Sequence, residues 1–213
     1  MLLAFDTATP YVTVALHDGE VVVAERRSEE RMRHGEQLAP LIEGVLTDVG
    51  IVRQDLTAIA VGIGPGPFTG LRVGLVTART LAFVLELPVY GVCSLDVVAL
   101  EAALGGSPIG REFVVATDAR RKEVYLAAYD DQGRRIDGPE VVRPGEAATD
   151  GPVAGEGALL YPEAFPDARE PAQPAAGWLA RAVAEELAEL SDPEPMYLRR
   201  PDAVAPGAPK KVS

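Results

Sequence analysis

The chain has 213 residues, 47% of them hydrophobic, which is enough to bury a core in one domain or in two small ones. Its net charge of −12 disfavours nucleic-acid binding over the whole surface, because such binding depends largely on neutralising phosphates. No apolar run approaches the roughly 20 residues of a membrane span and no basic signal region opens the chain, so we expect a cytoplasmic protein without a membrane segment.

The first half opens with three strands and then alternates helices with strands. Asp18-Gly19 is a strong hairpin turn signal between the second and third strands. Apolar residues recur at helical spacing after His34, and Pro40 should kink this helix or lie near its start. The predicted strands are 2–6, 11–17, 20–27, 58–63 and 88–92, and the predicted helices are 34–50, about 70–86 and about 94–104.

The second half repeats the opening of the first. An apolar strand ends in an aspartate in both places, Asp6 and Asp118, and each is followed by a second strand and an acidic glycine turn. This repetition indicates a duplicated unit, with chance similarity of two hairpins as the alternative. The later predictions are strands at 113–118 and 123–130, an irregular proline-rich stretch at 139–174, a helix at 175–190, an extended segment at 194–201 and a flexible tail from 202.

The element order predicts a mixed α/β fold made of ribonuclease-H-like units. Two such units, the second eroded, give the actin/Hsp70/sugar-kinase (ASKHA) superfold. We therefore expect an N-terminal unit with partner-binding helices at 1–107, a smaller C-terminal unit at 108–201 and a tail at 202–213.

The segment GIGPGPFTGLRVG, residues 62–74, looks at first like a phosphate-binding loop. Pro67 occupies the third glycine position of a dinucleotide fingerprint, and the lysine of a Walker A loop is absent. Pro65 and Pro67 also remove N–H groups that a phosphate cradle would use. The segment therefore predicts a stiff, shape-defining loop, with Thr69 placed to cap the helix that follows.

Small residues form a stripe along that helix, at Gly70, Gly74, Ala78 and Ala82. Such a stripe lets another helix approach closely, and the other faces of the helix are apolar. A helix that is apolar nearly all round is covered on two sides. The second cover is either a partner protein or the chain's own helix 34–49.

The sequence offers little local catalytic chemistry. His17 and His34 match no metal-binding spacing, and Cys93 follows a buried strand as a core residue would. A catalytic triad assembled in space stays open.

Asp6, Thr7 and Thr9 could be the vestige of a first phosphate hairpin, in which an acid orients a metal-bound water. The counterpart Asp118 is followed by Arg120, Arg121 and Lys122 rather than by glycines.

Several segments together resemble the TsaB (YeaZ) family, the dimerisation subunit of the bacterial machinery that makes threonylcarbamoyladenosine in transfer RNA. The resemblance covers nearly all of residues 1–130 and is thin from about 135 to 190. The segments that carry it are LLAFDTATPYVTVAL, HGEQLAPLIEGVL, IAVGIGPGPFTGLRVGLVTARTLAF, VYGVCSLDVVA, TDARRKEVYLAAY and EPMYLRRP.

The resemblance implies a pseudoenzyme. The family is paralogous to the catalytic subunit TsaD, and Ser94 and Val98 stand where the metal-binding histidines of TsaD would be. It therefore implies no catalytic residue, no metal and no cofactor, with weak nucleotide binding at the partner interface left open. The alternatives are an M22-type peptidase, the label often given to this superfamily, and a small-molecule kinase of the same superfold.

The resemblance also implies a partner interface on the first two helices. It predicts a heterodimer with a TsaD-type catalytic subunit, a TsaE-type ATPase in the larger complex, and a possible homodimer when the chain is alone. Transfer RNA would be bound mainly by the partners. The predicted interface residues are His34, Leu38, Leu41, Ile42, Val45, Gly70, Arg72, Gly74 and Ala78.

Overall fold

The computed structural model describes residues 1–199, which form ten strands in two sheets and five α-helices. The strands are β1 Leu2–Asp6, β2 Thr13–His17, β3 Val22–Arg27, β4 Ala58–Gly62, β5 Val89–Val92, β6 Phe113–Asp118, β7 Val124–Tyr129, β8 Arg135–Val142, β9 Pro152–Ala154 and β10 Asp167–Arg169. The helices are α1 His34–Val49, α2 Phe68–Leu85, α3 Ser94–Leu104, α4 Glu156–Leu160 and α5 Ala176–Ala184.

The two sheets have the same topology. The first has the order β3-β2-β1-β4-β5, and the second has the matching order β8-β7-β6-β9-β10. In each sheet the first three strands pair antiparallel and the last two join in parallel. The predicted duplication of a ribonuclease-H-like unit is therefore confirmed, and the chain has the ASKHA architecture.

The central strands of the first sheet, β1, β2 and β4, are buried on both faces. Because side chains alternate along a strand, β1 sends Leu3 and Phe5 into the core beneath α1 and α2. It sends Leu2 and Ala4 into the core beneath α3 and α5. The break between the sheets falls between α3 and β6, but α5 returns to pack on β1 and β2. The predicted domain boundary at residue 107 stays a prediction. Helix α5 lies in the predicted C-terminal unit but packs on the sheet of the N-terminal unit.

Pro40 lies inside α1 rather than near its start, and the helix continues to Val49; a kink at Pro40 stays a prediction. Two other helix predictions need correction. Thr69 does not cap α2, because the helix begins at Phe68 with Pro67 before it. The last helix ends at Ala184 rather than at 190, where Glu186 takes a left-handed φ of 55°.

The second unit is more regular than the sequence indicates. The proline-rich stretch contains the second half of β8, all of β9 and β10, and the short helix α4. The predicted extended segment forms no strand over 194–199, the part of it that the structure describes. The predicted flexible tail, 202–213, lies outside the described residues.

Helix α2 has an unexpected composition. With 18 residues and a mean hydropathy of 1.4, it is long and apolar enough to cross a membrane, contrary to the expectation that no apolar run approaches that length. One third of it is buried, and the buried residues pack on the first sheet as in a core helix. Its remaining apolar residues face outward.

Candidate functional site

The glycine-rich segment packs directly on the loop between β1 and β2. A Cβ atom on Gly66 would collide with the carbonyl oxygen of Ala8, and one on Gly70 with that of Thr7. A Cβ atom on Gly62 would collide with the carboxylate of Asp6. These glycines therefore let two stretches of backbone approach closely, and the segment acts inside the chain.

Asp6 is buried, and both of its carboxylate oxygens accept a hydrogen bond from within the chain. Its carboxylate accepts hydrogen bonds from the Ser94 hydroxyl and from the backbone N–H of Ala8, each at 2.6 Å. Burial raises the pKa of Asp6, and the two hydrogen bonds only partly oppose this effect. The carboxylate therefore has a structural contact rather than a free face toward a ligand.

The two threonines of the predicted phosphate hairpin also turn inward. Thr7 Oγ1 donates to the carbonyl oxygen of Gly70 at 2.8 Å, and Thr9 Oγ1 donates to that of Tyr11 at 3.3 Å. His34 Nε2 lies 2.7 Å from the Thr9 carbonyl oxygen, to which it can only donate. The structure brings the hairpin residues together, but their polar atoms hold the first loop against α1 and α2.

The second unit repeats the aspartate turn with a different outcome. Asp118 Oδ1 accepts the backbone N–H of Arg120 at 2.8 Å, as Asp6 accepts that of Ala8. Here the Arg120 guanidinium also pairs with the Asp118 carboxylate at 3.1 Å. Residues 120–122 all have left-handed φ values, between 57° and 63°, and their turn borders a cleft of about 420 Å³ between the two units.

The positions that the resemblance assigns to metal-binding histidines have other contacts here. Ser94 begins α3 and bonds to Asp6, whereas Val98 is fully buried in the core that joins α3 to the second sheet. Within residues 1–199, no group of three or more potential ligands is placed to hold a metal ion. Cys93 is a core residue as predicted, and burial raises the pKa of its thiol to about 12.

The stripe of small residues faces the interior, which corrects its predicted contact with a partner. Gly70, Gly74, Ala78 and Ala82 are all buried within the chain. A Cβ atom on Gly74 would collide with the Thr7 hydroxyl, so the close approach that the stripe allows is to the first loop.

The same burial affects most of the predicted interface residues. Leu41 and Arg72 reach the surface, whereas the other predicted interface residues are buried within the chain, and of these His34 and Gly70 also line the cleft between the two units. Those seven are His34, Leu38, Ile42, Val45, Gly70, Gly74 and Ala78.

The opposite side of α2 is exposed and apolar. Phe83 is 86% exposed, Val84 68% and Val76 62%. With Arg72 and Thr80, these residues recur at helical spacing and form what we call the outer α2 face. The sequence signalled this surface through its surplus of apolar residues, but it did not show which face of the helix carried them.

The C-terminal segment borders the outer α2 face on one side. The Phe68 and Tyr197 rings lie 4.5 Å apart, and Arg72 Nε donates to the Tyr197 hydroxyl at 3.2 Å. Further along the helix, Arg79 and Glu194 form an ion pair at 3.4 Å. Residues 194–197 therefore cover the flank of α2 and leave its apolar ridge open.

Comparison with known proteins agrees with this architecture. Residues 24–167 match the family model described as TsaD, tRNA N6-adenosine threonylcarbamoyltransferase. An uncharacterized protein of Mycobacterium tuberculosis is 46% identical over 95% of this chain and 93% of its own length. The tRNA threonylcarbamoyladenosine biosynthesis protein TsaB of Escherichia coli is 38% identical over 62% of this chain and 57% of its own length.

A solved structure extends the match to nearly the whole chain. YeaZ from Pseudomonas aeruginosa superposes with a TM-score of 0.75 at 31% identity, covering 92% of this chain and 99% of its own. A second structure, described as similar to peptidase YEAZ from Pseudomonas aeruginosa, gives a TM-score of 0.78 at 31% identity over 93% of this chain. The chain therefore belongs to the TsaB (YeaZ) family.

Proposed function

We propose that this protein is the non-catalytic partner subunit that binds and activates a TsaD-type threonylcarbamoyltransferase. The reaction served is the threonylcarbamoyl modification of the adenosine next to the anticodon of transfer RNA, in the cytoplasm. The named relatives, described as tRNA threonylcarbamoyladenosine biosynthesis proteins, support the pathway. The match to the transferase family model supports a partner of related fold.

The observation that carries the proposal is the outer α2 face. Phe83 and Val76 present large apolar side chains to solvent on a helix whose other side is already anchored to the sheet. Burying one such side chain contributes about 1.5–3 kcal/mol, so a docked helix of the partner would gain substantially from this ridge. An exposed apolar ridge of this kind supports a protein contact at this face.

The contacts of Ser94 and Val98 support a non-catalytic role. A hydroxyl committed to Asp6 and a buried valine offer no imidazole ligand where the resemblance assigns the metal of the transferase. The net charge of −12 supports contact with transfer RNA mainly through the partners, which include a TsaE-type ATPase. The same ridge would support a homodimer when the chain is alone, and the chain itself needs no cofactor.

The experiment is titration of the purified chain with the TsaD-type subunit of the same organism, followed by size exclusion with light scattering. A heterodimer should form, and Val76→Asp or Phe83→Asp should weaken it at least tenfold, because a carboxylate would be buried in an apolar contact. Leu159→Asp is the matched control, since Leu159 on α4 is 60% exposed and lies away from α2.

Two results would contradict the proposal. Absence of any complex between the wild-type proteins would remove the partner role itself. A complex that Val76→Asp and Phe83→Asp leave at full affinity would move the interface away from the outer α2 face. Threonylcarbamoyl transfer to transfer RNA, measured with and without the chain, tests activation separately.

A further inference from the structure

A cavity opens on the face of the first sheet that α3 and α5 cover. It has a volume of about 470 Å³ and lies between the paired strands β2 and β3, helix α3 and the loop that leads into α5. Thr13 is buried and Glu101 half-buried in its wall, and Glu25 and Glu170 are exposed at its edge. None of these residues belongs to the outer α2 face.

Two buried polar atoms in the cavity wall lack a hydrogen-bond partner. They are the hydroxyl oxygen of Thr13, a residue only 5% exposed, and Oε2 of Glu101. Buried polar groups are almost always paired, because leaving one unpaired costs free energy. Two unpaired acceptor atoms in the wall of one cavity suit a ligand that donates several hydrogen bonds at once.

The carboxylates around the cavity differ in how they are held. Glu25 accepts the backbone N–H of Gly177 at 2.9 Å, at the start of α5, and Glu170 accepts that of Ala172 at 3.0 Å. Glu101 Oε2 has no such donor. Burial raises the pKa of Glu101 to about 7, and the charges of Glu25 and Glu170 add to the effect.

Two arginines, Arg26 and Arg27, also line the cavity, but each forms hydrogen bonds with other residues. Arg26 forms a two-point contact with Asp48, at 2.7 and 2.6 Å. Arg27 donates to Gln173 at 2.5 Å and stacks 4.3 Å from the ring centre of Tyr11. Neither of these last two contacts neutralises the positive charge of Arg27, but the three glutamates Glu25, Glu101 and Glu170 outnumber it, so the balance of charge around the cavity is negative.

We propose that this cavity binds a primary ammonium group, held by Glu101 and the Thr13 hydroxyl with Glu25 and Glu170 supplying the surrounding charge. An ammonium group has three N–H donors, which suits acceptors on several sides. A directly ligated metal ion suits the site less well, since among residues 1–199 no three potential ligands are placed to hold one. The cavity is also large enough for part of the alkyl chain that carries the ammonium.

The test is calorimetric titration of the full chain with putrescine, with 1,4-butanediol as the uncharged control of similar length. Putrescine should bind and butanediol should not. Glu101→Gln and Thr13→Val should each weaken binding, the first at least about tenfold because it removes a charged acceptor. Glu163→Gln is the control for net charge, since Glu163 is exposed and does not line the cavity.

The pH dependence gives an independent readout. Ammonium binding requires ionised Glu101, so affinity should rise about tenfold between pH 6 and pH 8 for a carboxyl with a pKa of about 7. Glu101→Gln should remove most of this rise. Glu25 and Glu170 also face the cavity. The variants Glu25→Gln and Glu170→Gln measure how much each carboxylate contributes to the affinity and to its pH dependence.

A parallel titration with Nα-acetyl-lysine methylamide identifies the source of the ammonium. Tighter binding of this compound than of putrescine assigns the site to a lysine side chain of a partner, and the reverse order assigns it to a free amine. The proposal is overturned if neither compound binds, if butanediol binds equally well, or if both Glu101→Gln and Thr13→Val bind putrescine like the wild type.

Discussion

The Ser94 hydroxyl donates a 2.6 Å hydrogen bond to the buried carboxylate of Asp6, which joins the first residue of α3 to the last residue of β1. The same oxygen accepts the backbone N–H of Gly64 at 3.3 Å, and the Ser94 N–H donates to the Gly64 carbonyl oxygen at 2.8 Å. One side chain therefore ties a strand end, the glycine-rich loop and a helix start together. Ser94, which the family resemblance aligns with a metal-binding histidine of TsaD, therefore has a structural role in this chain.

Ser94→Ala should destabilise the fold by about 1–3 kcal/mol, because it removes one of the two hydrogen bonds to a carboxylate that stays buried. Urea unfolding at neutral pH measures the change. Ser107→Ala is the control, since Ser107 is exposed after α3 and should have little effect. Equal midpoints for the two variants would mean that the Ser94–Asp6 contact contributes nothing measurable.

Gly74→Val should lower the stability of the isolated chain by about 1–3 kcal/mol through overpacking, since its side chain would meet the Thr7 hydroxyl. Thr80→Val places the same residue on the outer α2 face and should leave the unfolding midpoint nearly unchanged. If Gly74→Val kept full stability and lost only partner affinity, the stripe would face a partner after all.

Besides the apolar core, an ion pair between the buried Asp96 and the partly buried Arg135 links α3 to the second sheet. Arg135 contacts the Asp96 carboxylate through Nε at 3.1 Å and through Nη2 at 3.2 Å, and the Tyr129 hydroxyl donates to it at 2.8 Å. Arg135→Met should cost about 3–5 kcal/mol, because Asp96 would stay buried without its counter-charge. Thermal unfolding of Arg135→Met beside Arg135→Lys, which keeps the charge, measures the loss. A midpoint for Arg135→Met equal to the wild type would contradict it.

The sequence predicts the elements whose signals are local. Helix α3 runs from Ser94 to Leu104 as expected, and β6 coincides with its predicted range. The repeated strand-terminal aspartates, Asp6 and Asp118, indicated the duplication that the two matching sheets confirm. Strands β9 and β10 have three residues each, too few for a periodic signal, and depend on pairing with distant strands.

The sequence predicted that helix α2 carries the partner interface, but it did not predict which face of the helix points outward. Gly70 and Gly74 indicate close approach to some neighbour, and a sequence pattern does not name that neighbour. The structure supplies Thr7, whose hydroxyl bonds to Gly70 from 63 positions away in the chain. The proposed partner contact therefore lies at Val76 and Phe83, which are exposed on the other side of the same helix.

Glu101 should make the stability of the protein depend on pH in an amine-free buffer. Burial raises its pKa from the ordinary value of 4.5 to about 7, so the folded state binds this proton more strongly than the unfolded state. The resulting stabilisation is complete below pH 4.5 and is lost as the pH rises through about 7. Glu101→Gln keeps a neutral side chain at every pH and should remove that part of the slope.

Urea midpoints of the wild type and Glu101→Gln at pH 4.5, 6 and 8 measure the effect. Burial also raises the pKa of Asp6, Asp96 and Glu156, whereas hydrogen bonds lower the pKa of Asp18, Asp48, Asp167 and Glu185, so both proteins keep a common residual slope. The difference between the two curves isolates Glu101. That difference should favour the variant increasingly from pH 4.5 to pH 8, because only the wild type then carries an unpaired buried charge. A constant difference would show that Glu101 titrates alike in the folded and unfolded chain.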